Sequence, residues 1–262
     1  HMTHREVIGY LAGEYDKPTR SIRILAAYPG QSISNDSNSF QEAEMDPVFE
    51  VDLRAQIEKD GLQVVGWYHS HPTFQPIPSA VDVNNQWNYQ HLFKGNARES
   101  SPFVGLIVSP YNLALPTTEA EFKWFYVEGS SAQPLPMAVD ASHEVLTTPK
   151  DIEDDHLRAK AKSVLSMYAD KFLSVRVGFS DIWREMGNMR CTNMDKIQGS
   201  IRSRLEAASA AKAASAENKK PILEKVENFL KWLRRQCIAA VDIAPSPTDS
   251  PSKQASAVIS LQ

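Results

Sequence analysis

Val64-Val65-Gly66-Trp67-Tyr68-His69-Ser70-His71-Pro72 is apolar as far as two histidines and then breaks at a proline. The run reads as a buried strand, and residues two apart on an extended backbone project to one face, so His69 and His71 share theirs. Pro72, Pro76 and Pro78 stiffen the seven residues that follow into a loop rather than a helix. Ser79 and Asp82 then open a helix predicted to run through Phe93. Ser-x-x-Asp at such a place reads most simply as a capping box, with Asp for the usual Glu or Gln. Two imidazoles and a carboxylate also form a three-ligand set that suits one zinc ion and leaves a fourth position for water.

Other elements follow on either side. Glu6 to Gly13 runs from a polar start into an apolar strand, and Ser21 to Tyr28 reads as the next strand, after a turn at Asp16–Thr19. Residues 29–43 are mostly polar and read as a surface loop. Asp46 caps a helix from Pro47 to about Asp60, ended by Gly61, with Val48, Val51, Leu53 and Ile57 as its core stripe. Phe103–Pro110 lacks alternation and is expected to be buried on both faces, and Glu121–Glu128 is an aromatic-rich strand. The Pro- and Ser-containing residues 131–150 read as a linker.

Beyond Lys150 the pattern turns helical. Leu157 to Phe172 share one face, a short helix starts at Ser180 or Asp181 and carries Ile182, Trp183 and Met186, and Ile197, Ile201 and Leu205 mark a third. Pro221 opens a fourth, whose basic end (Lys231, Arg234, Arg235) suits a helix C-terminus. Residues 240–262 read as a disordered tail. A net charge of -4 provides no general attraction to nucleic acid or to anionic membranes. No apolar run reaches the length of a membrane span, and no signal-peptide pattern precedes the first strand. Cys191 and Cys237, far apart in the chain, fit reduced thiols of an intracellular protein.

Taken jointly, His-x-His, seven residues and Ser-x-x-Asp after an apolar strand resemble the signature of the JAMM (MPN+) metalloproteases. The resemblance implies an α/β fold of the MPN (JAB1/MPN, cytidine-deaminase-like) type, a mixed curved sheet flanked by helices, in residues 1–130. A helical region over 151–239 is expected to follow. MPN domains open with a strand and a helix before the equivalent of Glu6, and that opening is expected to be missing here or supplied elsewhere.

The resemblance further implies one catalytic zinc on His69, His71 and Asp82. Glu6 is implied as the general base, because the family carries a glutamate before a short apolar strand, as in Glu6-Val-Ile-Gly9. Ser79 is the family's donor to the developing oxyanion. Ser70 faces away from the histidines and is expected to be structural, and His91 is expected to be a helix-surface or core-edge histidine rather than a ligand. The implied activity is zinc-dependent removal of ubiquitin, or a ubiquitin-like protein, from lysine side chains. The loop over residues 29–43 corresponds to a region near the family's ubiquitin-binding face.

Glu44-Met-Asp-Pro47, Val65 to Pro72 and Ile107-Val-Ser-Pro-Tyr-Asn112 resemble the branch of Myb-like, SWIRM and MPN domain histone deubiquitinases and MPN domain-containing proteins. That branch brings in ubiquitinated histone as a partner, a multiprotein complex as a setting and the nucleus ahead of the cytoplasm. The AMSH-type branch needs a second, Cys- and His-bound zinc, for which Asp82 to Glu128 offers no cysteine and only His91. The remaining alternative is a non-catalytic MPN scaffold that recruits partners.

Overall fold

The computed structural model describes residues 3–32, 45–93, 103–139, 141, 155–171, 177–186, 189–212 and 216–242. Its first part is a mixed α/β layer. Strands β1 (Ile8–Asp16), β2 (Ser21–Pro29), β3 (Gln63–Ser70), β4 (Val104–Ser109), β5 (Glu121–Ser130) and β6 (Gln133–Ala138) form one sheet in the order β2-β1-β3-β4-β5-β6. Only β3 and β4 run parallel, and the other neighbours are antiparallel. Helices α1 (Pro47–Lys59) and α2 (Ala80–Leu92) flank it.

β4 has the near-continuous burial expected of a central strand covered on both faces. At Gly105 no side chain would fit, because a Cβ would stand 2.4 Å from Cε1 of Phe125 and 2.9 Å from Oε1 of Gln86. The core gathers Ile8, Tyr10, Trp67, Phe103, Ile107 and Phe125 from the sheet with Leu53, Ile57 and Val83 from the helices.

α1 begins where its signals put it. Asp46 accepts from the amides of Val48 and Phe49, and Pro47 stands at the first helical position. The core stripe is narrower than expected, however. Leu53 and Ile57 are buried, whereas Val48 and Val51 are 76% and 66% exposed. Val51 precedes Leu53 by two residues, which on a 3.6-residue helix turns it about 160° away from the sheet. Tyr10 donates to Oε1 of Glu50 at 2.5 Å and so ties α1 to β1. Residues 33–44, the bulk of the polar loop, lie outside the described residues, and its ends meet in a bridge between Ser32 and Met45.

The sheet extends past residue 130, because β6 lies within the stretch read as linker. Pro134 and Pro136 argue against a strand, yet both are tolerated here. The amide of Val139 donates to the carbonyl of Trp124 at 3.1 Å, so in this register the odd-numbered residues bond to β5. Both prolines therefore turn their missing N–H groups outward on an edge strand.

The later part contains α3 (Asp155–Lys171), α4 (Asn193–Lys212) and α5 (Ala216–Asp242). Leu165, Met194, Ile197, Val226, Phe229, Leu230 and Leu233 make their shared core. α5 starts five residues before Pro221, since Ala216-Glu-Asn-Lys-Lys220 are mostly good helix formers, and it runs past residue 239 to Asp242. The rest of the expected tail lies outside the described residues. Cys191 and Cys237 are free and buried. Among the described residues no helix is long and apolar enough to cross a membrane.

The short helix expected from Ser180 or Asp181 is a β-hairpin instead, β7 (Ile182–Met186) with β8 (Met189–Thr192). Its register shifts between Ile182 and Arg184, a β-bulge that relaxes strict alternation and lets two adjacent side chains reach one loop. Trp183 Nε1 donates to the carbonyl of Tyr111 at 3.0 Å, and Arg184 donates to the carbonyls of Leu113 and Leu115. From α4, Lys196 Nζ donates to Thr118 O at 2.6 Å, and Ser200 Oγ accepts from the amide of Ala120 at 3.1 Å. The backbone between β4 and β5 has little secondary structure of its own, and these side chains satisfy its polar groups. That loop in turn reaches the segment after His71, where the amide of Tyr111 donates to the carbonyl of Pro72 at 2.8 Å.

Candidate metal centre

β3 carries His69 and His71 out of the sheet beside β4, where the amide of His71 donates to the carbonyl of Val108 at 2.9 Å. Asp82 sits in the first turn of α2. The capping box is present, and it also positions the carboxylate that is the candidate ligand. The amide of Ser79 donates to Oδ2 of Asp82 at 2.7 Å, and Ser79 Oγ accepts from the amide of Asp82 at 3.2 Å. The cap thus fixes the carboxylate that must face the histidines.

The three side chains are buried and converge. Nε2 of His69 lies 3.1 Å from Nε2 of His71 and 3.0 Å from Oδ1 of Asp82, while Nε2 of His71 lies 3.5 Å from Oδ2. A tetrahedral zinc with bonds near 2.0 Å needs ligand atoms about 3.3 Å apart. Spacing and donor types therefore both fit that ion.

The two rings are oriented differently. Nδ1 of His71 donates to the carbonyl of Gln75 at 2.9 Å, which turns the lone pair of Nε2 toward the site. The ring also stacks on Phe74 at 4.4 Å between centroids. His69 has no hydrogen-bond partner for Nδ1 among the described residues, and its ring lies stacked 4.7 Å from that of Trp67 at 15°. Trp67 is held by Gln86, whose Oε1 accepts from the indole at 2.6 Å and whose Nε2 donates to Gln90 and to the carbonyl of Phe103. These supports escaped the sequence reading. Gln75 acts through its backbone, so no residue type announces it. Asp82, Gln86 and Gln90 do leave a sign, three polar residues at i, i+4 and i+8 on a buried helix face.

Burial favours the neutral form of His69 and lowers its pKa, with Asp82 opposing. Burial also acts to lower His71, but the hydrogen bonds to Asp82 and Gln75 and the charges of Asp82 and Glu6 outweigh it and raise the value. Asp82 is desolvated, yet the two imidazoles hold its carboxyl well below the usual range. A metal at His71 must displace a proton that is held to a higher pH than at an ordinary histidine, near 6.5. Zinc affinity, read by chelator competition, is therefore expected to be weaker at about pH 6 than at about pH 8, because the proton leaves Nε2 as pH rises through the raised value.

The remaining candidates fall as follows. Glu6 lies just outside β1, and since Ile8 pairs with His69, the same register carried two residues outward sets Glu6 opposite His71. The effect of its charge on His71 agrees with that position. Ser79 is exposed at the mouth of α2, beside the ligands. Ser70 is buried and faces away from the histidines, bonded to Val7. His91 is exposed, with Nδ1 donating to the carbonyl of Trp87 at 2.8 Å, and stands apart from the three ligands.

Residues 1–95 match the family model described as JAB1/Mov34/MPN/PAD-1 ubiquitin protease. The chain is 40% identical over 116 residues to the deubiquitinase MYSM1 of Mus musculus, covering 44% of this chain and 13% of that protein. It is 39% identical over 112 residues to the histone deubiquitinase MYSM1 of Branchiostoma floridae, covering 43% and 13%. Similarity to the MPN domain-containing protein of Mus musculus is lower, 28% over 211 residues, but reaches 78% of this chain and 40% of that one. The chain thus spans only about an eighth of the length of the MYSM1 relatives, 13% in each of these two. Converging side chains and matched residues agree: residues 1–95 match a JAB/MPN domain.

Proposed function

We propose that this chain is a zinc-dependent isopeptidase that removes ubiquitin, or a ubiquitin-like protein, from lysine side chains, with ubiquitinated histone as the conjugate suggested by its named relatives. The observation that carries this reading is the convergence of His69, His71 and Asp82, with Glu6 two residues before the Ile8–His69 pair. Zinc bound by the three ligands would supply a Lewis acid that makes water a nucleophile near neutral pH. Glu6 takes the proton from the attacking water and hands it to the departing lysine amine. Ser79 Oγ accepts from the backbone of Asp82, which leaves its hydroxyl proton for the oxyanion that develops at the scissile carbonyl. Phe74, Ile77 and Val81, all exposed between the second and third ligands, offer apolar surface for the chain that enters.

Two further expectations belong to the same reading. The work is done in a nuclear, multiprotein setting, and the catalytic unit comprises the mixed-sheet domain through β6, with the helical region after it as its appendage. Digestion of lysine-linked ubiquitin dimers and ubiquitinated nucleosomes, with and without a zinc chelator, tests the activity. Cleavage that stops with the chelator and returns with zinc is expected. A protein that binds zinc and ubiquitin conjugates yet cuts none would instead be a scaffold.

A further inference from the structure

We propose that Ser70, the residue between the two histidines, is a positioning residue for Glu6. The inference rests on the reading of Glu6 as general base and concerns how that carboxylate is held. The β1–β3 ladder ends at the pair Ile8–His69, so Glu6 and Val7 lie beyond the last regular strand residue. The next pair outward is Val7 with Ser70. Its first bond is the expected backbone one, the amide of Ser70 donating to the carbonyl of Val7 at 3.0 Å.

The return bond differs. The amide of Val7 donates not to the carbonyl of Ser70 but to its Oγ, at 3.0 Å. At this point the regular β1–β3 ladder stops, since Val7 takes the hydroxyl of Ser70, while the next amide, that of His71, bonds to Val108 of β4 as alternation along a central strand requires. The hydroxyl takes over from the carbonyl that turns away, and it prolongs the ladder by one pair. Ser70 is 7% exposed, so water is a poor substitute acceptor. An alanine there leaves the amide of Val7 without this partner and loosens the backbone next to Glu6, held then by the Ser70 amide alone at this pair. Side chains alternate along β3, and this explains why the residue between two ligands can serve the opposite strand without touching the metal.

The test compares Ser70→Ala, Ser70→Thr, Glu6→Gln and the Ser70→Ala/Glu6→Gln double variant of the full chain on a lysine-linked ubiquitin dimer, with zinc content measured for each. Ser70→Ala is expected to hold zinc, keep KM and lose roughly 10-fold in kcat, with faster hydrogen exchange at the amide of Val7. Ser70→Thr keeps the hydroxyl and is expected to retain most of kcat. On the Glu6→Gln background the alanine change is expected to cost less than about twofold, because the group it positions has lost its role.

If Glu6→Gln is slow while Ser70→Ala cleaves at the parental rate, the positioning role is wrong and the base stands. Equal losses from Ser70→Ala on both backgrounds, or equal losses in the Ala and Thr variants, also overturn it in favour of general support of the fold. A Glu6→Gln protein as fast as the parent removes the base and, with it, this role.

Discussion

Glu6→Gln is expected to lower kcat by about 10²–10⁴-fold, the usual worth of a positioned general base, while zinc remains bound. Glutamine keeps the size and the polarity of the side chain but has no basic oxygen near neutral pH. Glu6 is not a member of the converging ligand set, so the metal site loses no donor. It does contribute to the raised pKa of His71, and removing its charge slightly eases loss of the proton there. Zinc affinity should be little changed, because the loss of a negative charge near the dication opposes that easing. Equilibrium dialysis against zinc, paired with steady-state cleavage of a ubiquitin dimer, separates the two effects. A Glu6→Gln protein that holds zinc and cleaves as fast as the parent would refute the proposed mechanism.

Asp82→Ala and Asp82→Asn are expected to abolish activity alike but to differ in stability. Either change removes the only anionic ligand of the set, and zinc affinity should fall by well over 100-fold, since loss of mere supporting partners already costs 10–100-fold. With zinc at about 100 times its Kd the parent gains about 2.7 kcal/mol of stability from binding, and both variants should forfeit that gain. Without metal the two part company. Asparagine can still accept from the amide of Ser79, as Asp82 does at 2.7 Å, and so preserves the capping box. Alanine cannot, and it should be less stable than the asparagine variant by about 1 kcal/mol. Denaturant unfolding with and without zinc reads both terms. An alanine variant that still gains stability from zinc as the parent does would rule out Asp82 as a ligand.

A cap and a ligand at Ser79-x-x-Asp82 are compatible rather than rival readings. A carboxylate tied to the start of its helix through two short bonds has little rotamer freedom left. Asp82 thus meets the imidazoles already oriented by the cap.

What the sequence determined by itself is local. Two histidines at i and i+2 on a strand share a face whatever the rest of the chain does, and Asp46 and Ser79 start α1 and α2 through bonds to amides two or three residues away. The central strands were legible because continuous apolar runs have few other uses. Elements that depend on a distant partner were not. β6 contains two prolines and is a strand only because its register against β5 points them outward. Ile182–Met186 has no decided local preference, and it becomes a bulged hairpin where Trp183 and Arg184 can satisfy carbonyls about 70 residues earlier in the chain. The place of Glu6 is of the same kind, since nothing in Glu6-Val-Ile-Gly fixes it relative to His71. The pairing of Val7 with Ser70, 63 residues on, is a distant contact that bears on it. Caps and side-chain alternation act within a few residues and can be read from neighbours. Strand register is a choice among many distant pairings, and only the packed sheet makes it.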